Sequence, residues 1–344
     1  MSVRVVAPCR LHFGLFHVPV EGLTHWPDGR PIRKFGGVGL MIENPNVTVE
    51  VRPSTAESWD GPLGDRGFRF ARGVLANRYD GGRATVAVIA DGPTEHTGLG
   101  VGTALGLAAG YSAFRLGGTR GYSPGCSLNS YAVRSIASWT GRGQRSAIGV
   151  YGFERGGLIV DGGKEPGETL SRLESRIDFP ERWRAVLVRP DTEPVWHGDA
   201  ERAAFGRDRT PEQALATTKR LYTIARSQLV RAVQDEDFDA FAAAVFEYNR
   251  TAGEPFAVDQ GGPYAGPAVS GVIDELLSWG VQGVGQSSWG PTVFAFARDP
   301  DEAEHIARRA RDWLPASADV TVTAANNTGA RLEMSGEPRP QGSG

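Results

Sequence analysis

Cysteine is nearly missing from this chain: Cys9 and Cys126 are its only two in 344 residues, far apart and in no Cys-x-x-Cys pair. That scarcity excludes a disulfide-stapled scaffold and a structural zinc site, both of which need grouped thiolates. An excess of one charge is missing too, since 37 Lys and Arg against 40 Asp and Glu leave a formal net charge of −3. No general pull toward nucleic acid or an anionic membrane follows, so any anion-binding site must be local. Long apolar runs are absent as well. The short apolar opening is broken by Arg4 and Arg10, which fits neither a signal peptide nor a spanning helix. Cytoplasm is the expected compartment.

What the chain does have is glycine. Its 46 glycines gather at 36–39, 98–102, 141–149, 152–163, 261–266 and 280–290. Clusters of this kind mark tight turns or places where backbone must approach something bulky. Apolar residues at 40% and charged residues at 22% are ordinary for a globular protein. A length of 344 residues is more than one core comfortably organises, so two domains are expected.

Alternation at Val3, Val5 and Ala7 and at Val47, Val49 and Val51 predicts strands, with another at Ala84–Ala90. Residues 53–67 read as a connection and Phe68–Tyr79 as a helix. Gly98-Leu99-Gly100-Val101-Gly102-Thr103 runs directly into an Ala/Leu-rich helix at Ala104–Phe114. A polar, glycine-rich interval at 117–126 precedes a helix at Asn129–Thr140. Gly141–Gly163 reads as loop and short strand, with a buried strand at Leu158–Val160, and Glu165–Ser175 as an exposed excursion. The expected division follows there: residues 1–175, residues 176–335 and a disordered tail at 336–344.

The second half opens with a strand at Trp183–Val188. Thr210-Pro211-Glu212-Gln213 then has the pattern of a helix start, with Tyr222, Ala225, Leu229 and Ala232 continuing one face. Phe238, Phe241, Ala242, Val245 and Phe246 predict an amphipathic helix, followed by a helix at Ala268–Trp279 and a strand at Pro291–Ala297. A helix beginning at Asp299-Pro300 and a strand at Asp319–Ala324 close an order of β–α–α–α–β–α–β, an α+β domain.

Three motifs carry candidate chemistry. Gly98–Thr103 opens a helix, where unpaired N–H groups and the helix dipole favour an anion and glycines let a phosphate come close. It lacks the Gly-Lys-Ser/Thr of a P-loop and the spacing of a dinucleotide fingerprint. Its alternative reading is a turn packed between strand and helix. Gly141-Arg142-Gly143-Gln144-Arg145-Ser146-Ala147-Ile148-Gly149 holds two guanidinium groups suited to phosphate or carboxylate, or else simply solvated. Gly283-Val284-Gly285-Gln286-Ser287-Ser288-Trp289-Gly290-Pro291-Thr292 suggests a backbone-lined concavity with one flat apolar wall, or a turn around a buried tryptophan. Arg10 and His12 stand at the end of the first strand and His96 just before the glycine loop. His17, His25 and His305 read as structural, and His197 stays undecided.

In this order the segments resemble the GHMP superfamily. More narrowly, residues 10–15, 96–103, 141–149, 153–163 and 285–292 are similar to the β-ribofuranosylaminobenzene 5′-phosphate synthase family, with matches running from about residue 3 to 330. That resemblance implies a GHMP-type two-domain α+β fold, with a ribosomal-protein-S5-like N-terminal domain and a ferredoxin-like C-terminal domain. It also implies a transferase that condenses phosphoribosyl pyrophosphate with 4-aminobenzoate or 4-hydroxybenzoate. Pyrophosphate and carbon dioxide leave, and the product serves methanopterin-type cofactor biosynthesis. Mg²⁺ and a homodimer are further expectations of the resemblance, with no nucleic-acid or membrane partner.

On that reading Arg10, His12, Arg142 and Arg145 are the catalytic candidates. His96, Gly98, Gly100, Gly102, Thr103, Gln286, Ser287, Ser288 and Trp289 are the substrate-binding ones. The chain departs from the superfamily at Val101 and Thr103, where GHMP kinases usually carry serines, and at Gly149, near the position of their usual aspartate. An ATP-dependent GHMP small-molecule kinase is the alternative enzyme, and a ligand-binding protein without turnover the alternative of another class.

Overall fold

The computed structural model describes residues 2–17, 20, 22–78, 85–116, 128–192 and 210–335. The expectations for 117–126, for His197 and for the tail at 336–344 lie outside these residues, as does Cys126. Strands β1 (Ser2–Leu15) and β2 (Gly37–Pro53) form the spine of the first sheet. Strands β3 (Ser58–Asp60) and β4 (Val86–Asp91) extend one side of it. Strand β5 (Leu158–Asp161) pairs with the start of β2 and carries β6 (Leu173–Ile177). Helices α1 (Gly64–Arg78), α2 (Val101–Leu116), α3 (Ser130–Trp139) and α4 (Ile148–Arg155) cover this sheet. Helix α2 is buried along nearly its whole length, because its Ala, Leu and Gly residues are apolar on every side.

The second sheet holds β7 (Arg184–Arg189), β8 (Val284–Gln286), β9 (Val293–Ala297) and β10 (Asp319–Ala324) in the order β10-β7-β9-β8. That is the ferredoxin-like arrangement, backed by α5 (Pro211–Thr223), α6 (Phe238–Gly253), α7 (Gly266–Ser278) and α8 (Pro300–Trp313). The expected capping box forms: Thr210 Oγ1 accepts from Gln213 N, and Gln213 Oε1 accepts from Thr210 N. Beyond α5 the helix widens into a π segment at Ile224–Leu229.

Several elements differ from the expectations. The tract at 141–163 contains helix α4, where the sequence reads as loop and short strand. Gly149 and Gly152 lower helix propensity but serve packing: a Cβ at Gly149 would lie 2.8 Å from Arg10 Nη1, and one at Gly152 would collide with the Met41 side chain. Helix α1 begins at Gly64, β3 lies within the supposed connection, and β8 adds a short strand to the second sheet. Strand β11 (Arg331–Ser335) returns to pair antiparallel with β1 in the first sheet. The chain therefore crosses between the sheets twice, and the crossings are bonded to each other. Phe179 N donates to Asn327 Oδ1 at 2.9 Å, and Asn327 Nδ2 donates to Phe179 O at 2.8 Å.

The two halves also meet at a bulge in β1, where the β1–β2 register shifts between His12 and Gly14. Phe13 leaves the first sheet and enters the core of the second half, 5.2 Å from the Phe294 ring and 6.0 Å from that of Phe296. Four of the bulge's backbone groups find partners there. His12 N donates to Ser287 Oγ at 3.0 Å, and His12 O accepts from Ser288 N at 2.8 Å. Phe13 O accepts from Asn249 Nδ2 at 2.8 Å, and Gly14 O from the Tyr248 hydroxyl at 3.0 Å. Gly14 must be glycine, since its φ is +135° and a Cβ would sit 2.4 Å from that of Ala252 on α6.

Asn249 is the most connected residue of this seam, because it also donates to Gln286 O and accepts from Gln286 N, both at 2.8 Å. Asn249→Ala would strand three buried backbone groups, so it is expected to lower unfolding free energy by about 3 kcal/mol, read as an earlier urea midpoint.

Candidate active site

Between the halves, beside this seam, lies a cavity of ≈ 370 Å³, a size suited to small molecules. The end of β1 gives it Arg10, His12, Phe13 and Gly14, the turn after α3 gives Arg142 and Arg145, and α2 gives Thr103. From the other half come Asn249, Phe256, Gln260, Tyr264, Gln286, Ser288 and Trp289. Among the described residues lining it there is no aspartate or glutamate.

Arg10 lies across the glycine loop. Its backbone N–H donates to Leu99 O at 3.0 Å, and its Nη1 sits where a Cβ on Gly100 would be only 2.4 Å away. The same Nη1 faces Gly149 at the start of α4, so one guanidinium spans two helix starts. Cation and helix dipoles have the same sign there, a combination that an anion relieves.

His12 is buried, and its Nδ1 accepts from Gly14 N at 3.2 Å, which assigns the neutral ring's proton to Nε2. Burial first, then the charges of Arg10 and Arg145, push its pKa down to about 3. With Nδ1 occupied, the ring is a donor and not a base. Because its folded pKa lies below the ordinary 6.5, this group favours the folded state above that pH and loses the contribution as pH falls toward 3.

Arg142 is half-buried, with Nε donating to Thr140 O at 3.0 Å. Burial and then the neighbouring Arg66 lower its pKa, while Glu95 acts the other way. Arg66 pairs with Glu95, and both arginines lie over the Phe70 ring, at 5.6 Å for Arg66 and 5.1 Å for Arg142. The turn carrying Arg142 and Arg145 is anchored by buried Asp161. That carboxylate accepts from Ala147 N at 2.6 Å, Gly163 N and Ser171 Oγ at 2.9 Å, and Ser146 Oγ at 3.2 Å. Burial pushes the Asp161 pKa up to about 6 against these four donors.

Of the residues predicted from sequence, the cavity brings together Arg10, His12, Thr103, Arg142, Arg145, Gln286, Ser288 and Trp289. Ser287 stands outside the lining, fully buried at the seam, where its hydroxyl donates to Gly98 O at 2.9 Å. Gly98 makes room for the Ser287 carbonyl, 2.2 Å from where its Cβ would be, and Gly100 makes room for Arg10. Gly102 lies near the Arg66 and Arg142 guanidinium groups. His96 is exposed and outside the lining, at φ +63°. Gln286 is spent on structure, accepting from Ala265 N at 2.7 Å and donating to Ser288 O at 2.9 Å. Trp289 meets the Phe256 ring edge-on at 4.6 Å.

Sequence reasoning does not single out Asp161, Asn249, Phe256, Gln260 or Tyr264. Asp161 lies near the end of the 153–163 segment, and an acid among glycines after an apolar strand is a usable signal. The other four sit in helical stripes and turns that resemble ordinary core. The donor set also bears on Mg²⁺, which is held by one or two carboxylates together with substrate phosphates. The lining supplies no carboxylate, and among the described residues no three His, Cys, Asp or Glu side chains converge. These residues do not fit a protein-held Mg²⁺. Among the described residues no helix is long and apolar enough to cross a membrane.

A glycine loop opening a buried helix, joined across a seam to a ferredoxin-like half, defines a GHMP-fold protein. Residues 229–316 match the family model described as GHMP kinases C terminal. Similar solved structures include homoserine kinase from Cytophaga hutchinsonii, with a TM-score of 0.66 at 16% identity, covering 96% of this chain and 97% of that one. Mevalonate pyrophosphate decarboxylase from Streptococcus pyogenes gives 0.63 at 12% identity, covering 95% and 97%. These likenesses are of fold alone.

Relatives in sequence narrow the class. The β-ribofuranosylphenol 5′-phosphate synthase of Archaeoglobus fulgidus is 30% identical over 348 residues, covering 96% of this chain and 100% of that protein. Its namesake from Methanothermobacter thermautotrophicus is 27% identical over 360 residues, covering 96% and 98%. The chain belongs to the β-ribofuranosylphenol 5′-phosphate synthase family, a family of transferase enzymes. The expected superfamily and fold are both borne out.

The buried, neutral state of His12 is open to test by NMR. Its Cε1–H resonance, assigned by its loss in His12→Gln, is expected to hold still from about pH 8 to about pH 5, whereas movement centred near 6.5 would mean a solvated ring.

Proposed function

We propose that this protein joins the ribosyl C1 of phosphoribosyl pyrophosphate to the carboxylate-bearing ring carbon of 4-hydroxybenzoate or 4-aminobenzoate. The observation that carries this reading is a cavity with three guanidinium groups, one neutral imidazole and no carboxylate among its lining residues. As the C1–oxygen bond breaks, charge builds on the departing diphosphate, and Arg10, Arg142 and Arg145 are fixed donors for it. The attacking ring carbon carries a carboxylate and no hydrogen, so forming the carbon–carbon bond leaves no ring proton to remove. Loss of carbon dioxide returns its bonding pair to the ring and restores aromaticity. A site without a base suits that sequence of events. The names of the Archaeoglobus and Methanothermobacter relatives support it, and methanopterin-type cofactor biosynthesis is the proposed context.

The Mg²⁺ expected from the resemblance would, on this donor set, enter as the counter-ion of the diphosphate, as part of the substrate. The rival reading, a kinase acting on an alcohol, gains little from the cavity. Such an enzyme ordinarily places a carboxylate to take the alcohol's proton, and the lining offers none.

Incubation with phosphoribosyl pyrophosphate, Mg²⁺ and carboxyl-labelled 4-hydroxybenzoate or 4-aminobenzoate is expected to release labelled carbon dioxide. Failure with both acceptors would reject the synthase reading. Arg145→Ala should cut turnover at least ~10-fold, about 1.4 kcal/mol of transition-state stabilisation, and an unchanged rate would remove Arg145 from the site.

A further inference from the structure

Asp161 stands outside the cavity lining, yet its carboxylate bonds only to the turn that carries Arg145 and to the loop packed against that turn. It is the last residue of β5, where the β5–β6 register shifts between Val160 and Asp161. A bulge of this kind re-aims a side chain. Oδ2 accepts from Ser146 Oγ, Ala147 N and Ser171 Oγ, and Oδ1 accepts from Gly163 N. With its pKa at about 6 the carboxyl is ionised at neutral pH, and only an ionised carboxylate has acceptors enough for all four donors. Ala147 is the N-cap of α4 and makes no side-chain cap, so Asp161 takes up one of the N–H groups that a helix start leaves unpaired. The loop after β5 is closed by Gly162 N donating to Arg172 O at 2.8 Å and Arg172 N donating to Gly163 O at 3.1 Å. It meets the turn again at Gly143, φ +76°, where a Cβ would lie 2.5 Å from Leu170 Cδ1.

The two arginines of the turn are held differently. Arg142 N donates to Ala137 O at 2.7 Å and its Nε to Thr140 O at 3.0 Å, so the end of α3 fixes it. Arg145 is followed directly by Ser146 and Ala147, both bonded to Asp161. Arg145 lines the cavity, and its charge reaches the His12 ring. We infer that Asp161 is a positioning residue that holds Arg145 in place for the departing diphosphate. The inference rests on the synthase reading above and deepens it at the same site. A donor fixed before the reaction stabilises developing charge without reorganising, whereas a guanidinium on a loose turn must first be ordered. Asp161 touches no substrate on this account and acts only through the turn.

Calorimetric titration of the full-length protein with inorganic pyrophosphate tests this in a cycle of wild type, Asp161→Asn, Arg145→Ala and the double variant. Asparagine keeps the shape of Asp161 but offers one oxygen and turns an NH2 group toward the remaining donors. Asp161→Asn is expected to weaken pyrophosphate binding at least ~5-fold where Arg145 is present and less than ~2-fold in the Arg145→Ala background, since a residue acting through Arg145 then has nothing left to position. In carbon dioxide release, kcat should fall at least ~5-fold while KM for the aromatic acid stays within ~2-fold. Equal losses of pyrophosphate affinity in both backgrounds would overturn the inference, as would unchanged affinity in a folded Asp161→Asn. Should Asp161→Asn not fold, Ser171→Ala removes one donor and leaves the carboxylate. A ~3-fold loss of pyrophosphate affinity confined to the background that retains Arg145 supports the inference, and no loss, or an equal loss in both, overturns it. If the coupling appears but no carbon dioxide is released, the positioning role stands and the synthase reading falls. Release of carbon dioxide by Asp161→Asn at the wild-type kcat overturns the positioning role and leaves the synthase reading standing.

Discussion

The insertion of Phe13 into the core of the other half is the contact on which the site depends. A strand that stayed in register would turn that ring toward its own sheet. The bulge between His12 and Gly14 sends it instead against Phe294 and Phe296, and the neighbouring backbone groups are taken up by Ser287, Ser288, Asn249 and Tyr248. Arg10 and His12 are consequently held by a buried aromatic and a set of hydrogen bonds at the junction itself. The second half therefore does more than roof the cavity. It sets the conformation of the strand that brings two of the site's groups.

The electrostatics follow from that placement. The Arg10 and Arg145 charges penalise a protonated imidazole, and His12, already disfavoured as a cation by burial, is neutral as a result. The nearest acids are engaged elsewhere: Asp161 holds the arginine-bearing turn, and Glu95 is paired with Arg66. The cavity is thus prepared for a highly charged anion and poorly equipped to remove protons. On the synthase reading, this is where it parts from phosphoryl transfer, although the fold is shared with kinases.

Much of this architecture was legible in the sequence. The glycine loop running into an apolar helix, the capping box at Thr210 and the stripe beginning at Phe238 all correspond to observed elements. Helix α4 was hidden because its glycines, which answer to Arg10 and Met41, look locally like breakers. The return of β11 was hidden because pairing with a strand more than 300 residues away leaves no trace in local pattern. Of the site, the arginines among glycines were visible since charge in a glycine tract is unusual. Asn249, Gln260 and Tyr264 were not, because a polar residue on a helix or turn betrays its burial only once the chain is folded. The meaning of the glycine loop also shifted: Gly98 and Gly100 admit protein groups, the Ser287 carbonyl and the Arg10 guanidinium.

The paired crossings at Phe179 and Asn327 constrain how the halves can move. A single linker would let one swing about the other in any direction, but two segments clasped side by side by reciprocal hydrogen bonds hold the halves at a second place besides the Phe13 seam. Because Phe13 and its hydrogen bonds cross the junction as well, the halves are tied at two places, and swinging them apart would draw that ring out of its core. The guanidinium groups of one half and the aromatic rings of the other are therefore kept around the same cavity in a single alignment.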